Sequence, residues 1–335
     1  MKVLKTAMIY LGIIISLLSC SKSSNKVKVG FLIRGFVIDR CKIERDFFVE
    51  RMNQLGGEAI IADAEENEKK QIEQGIEMLN SGVDVLVIFP VNNSSSAEIV
   101  RAAKAKGVPT IAYESLIDNC DLDYYISADN KKGGILMAQH LVQLVPQGNY
   151  VIIGGDRFDR NAKLIKSGNY EVIDPLVKSG KIKIMYDIYS NWTADDAYIE
   201  IKKVLDLSGI DPDAILCSND GMAKGIIKAL KEYGLAGKIP VTGLDAELSA
   251  CQNIVKGYQS VTIYKSFKKQ AYTAAEMAYE IGSGKKPKDL NAKVFNGRVD
   301  VPSYLIEPLA VDKNNIDEII IKNGVFSSAD VYGKN

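Results

Sequence analysis

One histidine stands among 335 residues, and 42 basic side chains are matched by 42 acidic ones. So few histidines exclude multi-histidine metal sites, HExxH proteases and zinc deaminases, which need ring nitrogens at fixed spacing. A Ser-His-Asp triad would have to use His140, which sits in the helical pattern Leu136-Met-Ala-Gln-His-Leu-Val and reads as a helix-surface residue. The lack of net positive charge argues against a nucleic-acid partner, because binding a phosphate backbone takes a basic excess. Cysteine is sparse. Beyond Cys20 there are Cys41, Cys120, Cys217 and Cys251, with no CxxC pair, no metal spacing and no assignable disulfide. Cys217 ends an apolar run and reads as core. No GxGxxG follows the first strand-like run, where Arg34-Gly-Phe-Val stands instead. Gly282-Ser-Gly-Lys-Lys has Lys286 where a phosphate loop needs Ser or Thr. Asp195 and Asp196 are adjacent and read as charges at a helix start rather than a glycosidase pair. No metal and no cofactor is expected.

The one long apolar run is N-terminal. Lys2 and Lys5 precede Ala7 to Leu18, the length of a signal-peptide core and too short to span a bilayer. It ends Leu17-Leu18-Ser19-Cys20 before a polar stretch, which resembles a bacterial lipobox. That resemblance implies a signal peptide over 1–19, lipidation of Cys20, a tether over 20–25, and a chain held to a membrane outside the cytoplasm by two or more acyl chains.

From Lys26 onward, strand-like apolar runs alternate with helical patterns. The runs are 27–33, 58–63, 83–89, 110–113, 150–154, 182–186, 214–217, 240–243 and 260–264. Near-continuous apolar strands separated by helices indicate parallel sheets covered on both faces. At 47% hydrophobic, the chain is long enough for roughly two domains. Two α/β lobes follow, with hinge crossings expected near 130–134, 264–267 and 295–302. The first lobe is expected over 26–132 plus 267–297, and the second over 133–266 plus 298–335. Ligands of such sheets bind at the carboxyl ends of the strands. The residues to examine are therefore Arg34 to Arg40, Pro90 to Asn93, Glu114-Ser115, Asp156 to Lys163, Ser218 to Asp220, Asp245 and Lys265.

Tyr125-Ile-Ser-Ala-Asp-Asn130, Val145-Pro-Gln-Gly-Asn-Tyr150, Asp159-Arg-Asn-Ala-Lys163, Ser218-Asn-Asp220 and Val311-Asp-Lys-Asn-Asn-Ile316 resemble D-xylose-binding proteins of bacterial ABC importers, over about residues 26–325. The resemblance implies two Rossmann-like lobes, a three-segment hinge and one sugar enclosed between them. Its sugar-contacting positions fall on Arg40, Asp159, Asn161, Asn219, Asp245 and Lys265. Carboxylates accept hydrogen bonds, Arg and Lys donate, and amides do both, which suits hydroxyls. Each residue also has a plain structural alternative: a helix first turn for Arg40, helix caps for Asp159 and Asp245, and a solvated hinge for Lys265.

The chain departs from the family where Glu114-Ser115 replaces an Asp-Arg pair and Cys41 replaces a tryptophan. Glu114 stays on the list of sugar contacts. Arg34 or Arg157 is left to replace the lost donor. Phe36, Tyr189, Phe158 or Trp192 is left to stack on the sugar's C–H face. The expected function is that of a monomeric extracytoplasmic lipoprotein. It would deliver a monosaccharide, with D-xylose as best guess, to an ABC permease or present it to a membrane sensor. It would not be an enzyme.

Overall fold

The computed structural model describes residues 26–36, 39–207 and 212–333; Cys20, the signal segment and the tether lie outside them. The chain begins with β1 (Lys28–Ile33), α1 (Asp39–Gln54), β2 (Glu58–Asp63), α2 (Glu68–Asn80), β3 (Val85–Ile88), α3 (Ala97–Ala105), β4 (Thr110–Tyr113) and β5 (Tyr124–Ala128). It continues through α4 (Asn130–Leu144), β6 (Gly148–Gly154), α5 (Arg160–Lys178), β7 (Ile182–Tyr189), α6 (Ala194–Asp206), β8 (Ala214–Cys217), α7 (Asp220–Glu232), β9 (Thr242–Leu244), α8 (Leu248–Val255) and β10 (Val261–Tyr264). It closes with α9 (Phe267–Gly282), β11 (Ala292–Phe295), β12 (Asp300–Ile306), β13 (Leu309–Val311), a π turn (Asp317–Ile321) and α10 (Ser328–Tyr332).

The first lobe is a sheet of order β11-β12-β5-β4-β3-β1-β2, parallel except for the β11–β12 pair. Val85 to Ile88 and Thr110 to Tyr113 are buried on both faces, as expected of central parallel strands. Alternation divides the core. Phe31, Val85, Val87 and Tyr113 pack with Phe48 of α1 and the alanines of α9. Leu32, Leu86 and Ile88 pack with Leu79 of α2 and Ile99 of α3. The second lobe has strands β7-β6-β8 and β9-β10-β13, joined by the bridge Ile215–Val241 into one layer.

The crossings are short. The chain leaves β5 at Asp129, whose amide donates to Ile306 O, and α4 packs from its start on α5, β10 and β13. It returns at Lys265-Ser266, where Ser266 caps α9. The third crossing corrects the sequence expectation. Residues 298–306 do not belong to the second lobe, because β12 pairs in parallel with β5 from Ser303–Tyr125 to Ile306–Ala128. The chain crosses only at Glu307-Pro308, before β13 pairs antiparallel with β10. Pro302 sits on the edge-facing β11 side, which obscured β12 as a strand in the sequence.

Helix caps hold the elements in place. Asn67, Asp129, Asp159, Thr193, Asn219 and Ser266 each accept a backbone N–H at a helix start. Asp195 and Asp196 lie in the first turn of α6. His140 is mostly buried rather than solvated, with Nδ1 3.9 Å from Asp312. Cys41, Cys120, Cys217 and Cys251 are buried free thiols. No helix among the described residues is long and apolar enough to cross a membrane.

Candidate binding cleft between the lobes

Strand ends of both lobes meet in a cluster of four charges. The Arg40 guanidinium, at the start of α1, places Nη2 3.0 Å from Glu114 Oε1 and Nη1 3.7 Å from Asp245 Oδ1. Lys265 Nζ lies 2.9 Å from Asp245 and 3.4 Å from Glu114. Arg40 and Glu114 come from the first lobe, Asp245 from the end of β9 in the second, and Lys265 from the hinge after β10. Two cations and two anions thus cancel in a site where Lys265 and Glu114 are almost wholly buried.

Glu114 is held with unusual care. Its φ is +63°, a region costly for a side chain with Cβ. Its carbonyl accepts from Tyr125 Oη at 3.1 Å and Ser127 Oγ at 2.9 Å, and its amide donates to Ile126 O. Its second oxygen accepts from Gln270 Nε2 at 2.8 Å. Burial opposes ionisation, but Arg40, Lys265 and Gln270 outweigh it and hold the carboxyl well below the ordinary range. Glu114, expected as a sugar contact, is the shared counter-ion of Arg40 and Lys265, and with Gln270 three of about four acceptor positions on its carboxylate are used. Burial lowers and its two carboxylate partners raise the Lys265 pKa, with a net rise, so the ammonium stays charged.

On the second lobe's edge, Asp159 Oδ1 accepts from the Asn161 amide at 2.7 Å, and Oδ2 accepts from Trp192 Nε1 at 3.2 Å. Burial raises the Asp159 pKa, and Glu114 and Arg34 are near enough for their charges to act on it. Trp192 itself has φ +63° and lies over Gly155, where a Cβ would meet the indole at 2.2 Å. Asn219 Oδ1 caps α7 through the Met222 amide. At Asp159 and Asn219 one side-chain oxygen caps a helix start, and at Asp159 the other accepts from Trp192.

The substitute candidates separate. Arg34 is tied to Glu66 through Nε and Nη2 and lies 5.9 Å from the Phe89 ring. Arg157 is exposed, with its guanidinium 6.0 Å from the Tyr189 ring. Lys166 covers that ring at 4.0 Å, and Arg45 covers Phe36 at 4.9 Å. Phe158 is 82% exposed. Cys41 is buried, and burial pushes its thiol up to about 12. Ser115 is half-buried, with its amide on Tyr113 O. Of the four aromatic candidates, Trp192 is the one bonded to another candidate, Asp159.

Several residues were not foreseen. Phe89, at the carboxyl end of β3, and Phe267 flank the Arg40 guanidinium at 5.9 and 4.9 Å. Phe89 was within reach of the strand-end rule. Glu44, four residues after Arg40 on α1, was visible as an i,i+4 pair. Gln270 carried no sequence signal.

A family model described as a periplasmic binding protein domain matches residues 29–286. The chain belongs to the periplasmic binding protein family. It has the type I fold of that family. The binding protein is 39% identical over 330 residues to the D-xylose-binding periplasmic protein of Haemophilus influenzae, covering 98% of this chain and 99% of the relative. It is 40% identical over 309 residues to that of Escherichia coli, covering 92% and 93%. A solved ABC transporter solute binding protein from Clostridium phytofermentans, with bound β-D-glucose, superposes with a TM-score of 0.82 at 26% identity, covering 91% of this chain and 99% of that one. The chain is a binding protein, not an enzyme.

Proposed function

We propose that the binding protein encloses one monosaccharide, D-xylose or a related aldose, between its lobes and delivers it to an ABC importer. The observation that carries this reading is the four-charge cluster of Arg40, Glu114, Asp245 and Lys265, contributed by both lobes and hinge and summing to no net charge. Fixed donors and acceptors whose charges are paired with one another suit a neutral polyhydroxyl ligand. An unmatched hydroxyl against such groups costs about 1–3 kcal/mol, which gives stereochemical selectivity. Asp159, Asn161 and Asn219 add acceptors and amides, and Trp192 supplies the stacking face. Sugar binding shifts the lobes toward a closed form that the permease reads. The names of the relatives support D-xylose. The replacement of the family's arginine by Ser115 leaves the pentose site one donor short, and Arg34, half-buried beside Phe89, fills that role better than exposed Arg157.

Calorimetry of the mature protein with D-xylose, D-ribose, L-arabinose and D-glucose tests the reading. It expects one tight aldose, and no heat with any of them overturns it. Arg34→Ala weakens binding by about 1.5–3 kcal/mol, tenfold or more, whereas Arg157→Ala changes it little. The anchor belongs to the same proposal. Cys20→Ala moves the protein from the membrane to the soluble extracytoplasmic fraction.

A further inference from the structure

Beneath the four-charge cluster lies a fifth ionisable group that the sugar-binding reading does not use. Glu44 is 1% exposed, and neither carboxylate oxygen has a hydrogen bond of ordinary geometry. Its Oε2 faces Arg40 Nε at 3.4 Å, behind the guanidinium face that reaches Glu114 and Asp245. Around it are Arg40 and Cys41 on its own helix, Tyr113 at the end of β4, Glu114 just beyond, and Lys265 from the hinge. Native proteins seldom leave a buried carboxylate without donors.

We propose that Glu44 is a positioning residue for Arg40 and that it takes up a proton when sugar is bound, so that sugar affinity rises as the pH falls through neutrality. The inference rests on the sugar-binding reading above. Its physical basis is competition for one cation. Ionised, Glu44 draws the guanidinium back toward α1; protonated, it releases Arg40 to Glu114, Asp245 and the ligand. Asp245 and Lys265 already stand beside Arg40, so a neutral sugar seated on them displaces the remaining water and adds no charge. Desolvation therefore grows with no compensating positive charge, which favours the neutral acid. Burial, opposed by Arg40, already pushes Glu44 up to about 7, where a further rise exchanges protons at physiological pH.

The test is calorimetry with the tightest aldose at neutral pH in phosphate and in Tris, whose ionisation enthalpies differ. The expected result is net proton uptake by the wild-type protein and an affinity several-fold higher at pH 6 than at pH 8. Glu44→Gln removes both. His140→Gln retains them, since His140 lies by Ser260 at the opposite end of β10. Asp220→Asn also retains them, because that buried acid is bonded within the second lobe to Thr262, Gln259 and the Glu247 amide. Tyr113→Phe removes a hydroxyl that favours the charged form and moves the midpoint to higher pH, which keeps the proposal testable if Glu44→Gln fails to fold. Sugar heat without proton exchange, or uptake that persists in Glu44→Gln, overturns this inference alone. No heat with any sugar overturns the proposed function and this with it.

Discussion

Arg40 meets three carboxylates, Glu114 at 3.0 Å, Glu44 at 3.4 Å and Asp245 at 3.7 Å, and the order of those distances sets what each substitution does. Glu114→Ala strips Arg40 and Lys265 of the more deeply buried of the two carboxylates they share and leaves them to Asp245. Losing one member of a buried ionic cluster costs about 3–5 kcal/mol, so urea denaturation finds the variant severely destabilised as well as unable to bind sugar. Glu44→Gln acts the other way. An acid whose folded pKa, about 7, lies above its unfolded value binds more protons when folded, so it lowers stability progressively as pH rises from the unfolded pKa through 7. The variant melts higher than wild type at pH 8 and near it at pH 5; equal melting at both values contradicts the sign. Arg40, Asp245 and Lys265 were readable in the sequence as polar residues after strands. That Glu114 works as their counter-ion was not, because it depends on Gln270, 156 residues away.

At the scale of elements, apolar runs identified most central strands of both lobes, β5 and β12 excepted, because burial on both faces leaves little freedom in composition. Two edge strands escaped, while β2 and β7 at the opposite edges read as apolar runs. β11 alternates half-buried and exposed residues and β13 has only three residues, so neither forms an apolar run. β5 follows a loop with no helix and was readable only through its family motif. Gly134 of α4 and Gly168 of α5 are close-contact points. A Cβ on Gly134 would meet Ile165 O at 2.0 Å, and one on Gly168 would meet Lys131 O at 2.1 Å. In a free helix, Gly to Ala gains up to about 1 kcal/mol. Here Gly134→Ala and Gly168→Ala instead push the helices apart. Thermal melting shows a drop equivalent to about 1–3 kcal/mol for each, and a rise in either contradicts this packing.

For the whole molecule, the decisive contacts run between lobes. Arg160, in the first turn of α5, donates through Nη2 to Phe295 O at 3.0 Å and lies 3.9 Å from Asp118, both in the first lobe. Arg160→Ala removes this bridge at the cleft mouth. Stopped-flow measurements then show faster sugar release, by a factor corresponding to about 1 kcal/mol at most for a partly exposed pair, with little change in the association rate. An unchanged release rate separates the bridge from ligand retention.

The sequence by itself determined the alternation of strand and helix, the polar residues at the strand ends and the balance of charge, since these follow from local periodicity and composition. Tertiary structure decided where the chain makes its third crossing, which aromatic side chain meets Asp159 and how Arg40 is shared. Those outcomes depend on burial and on ion pairs between residues far apart, such as Lys265 and Glu114, 151 positions distant. A charge's partner and its solvent exposure are properties of the closed packing, and no local pattern encodes them.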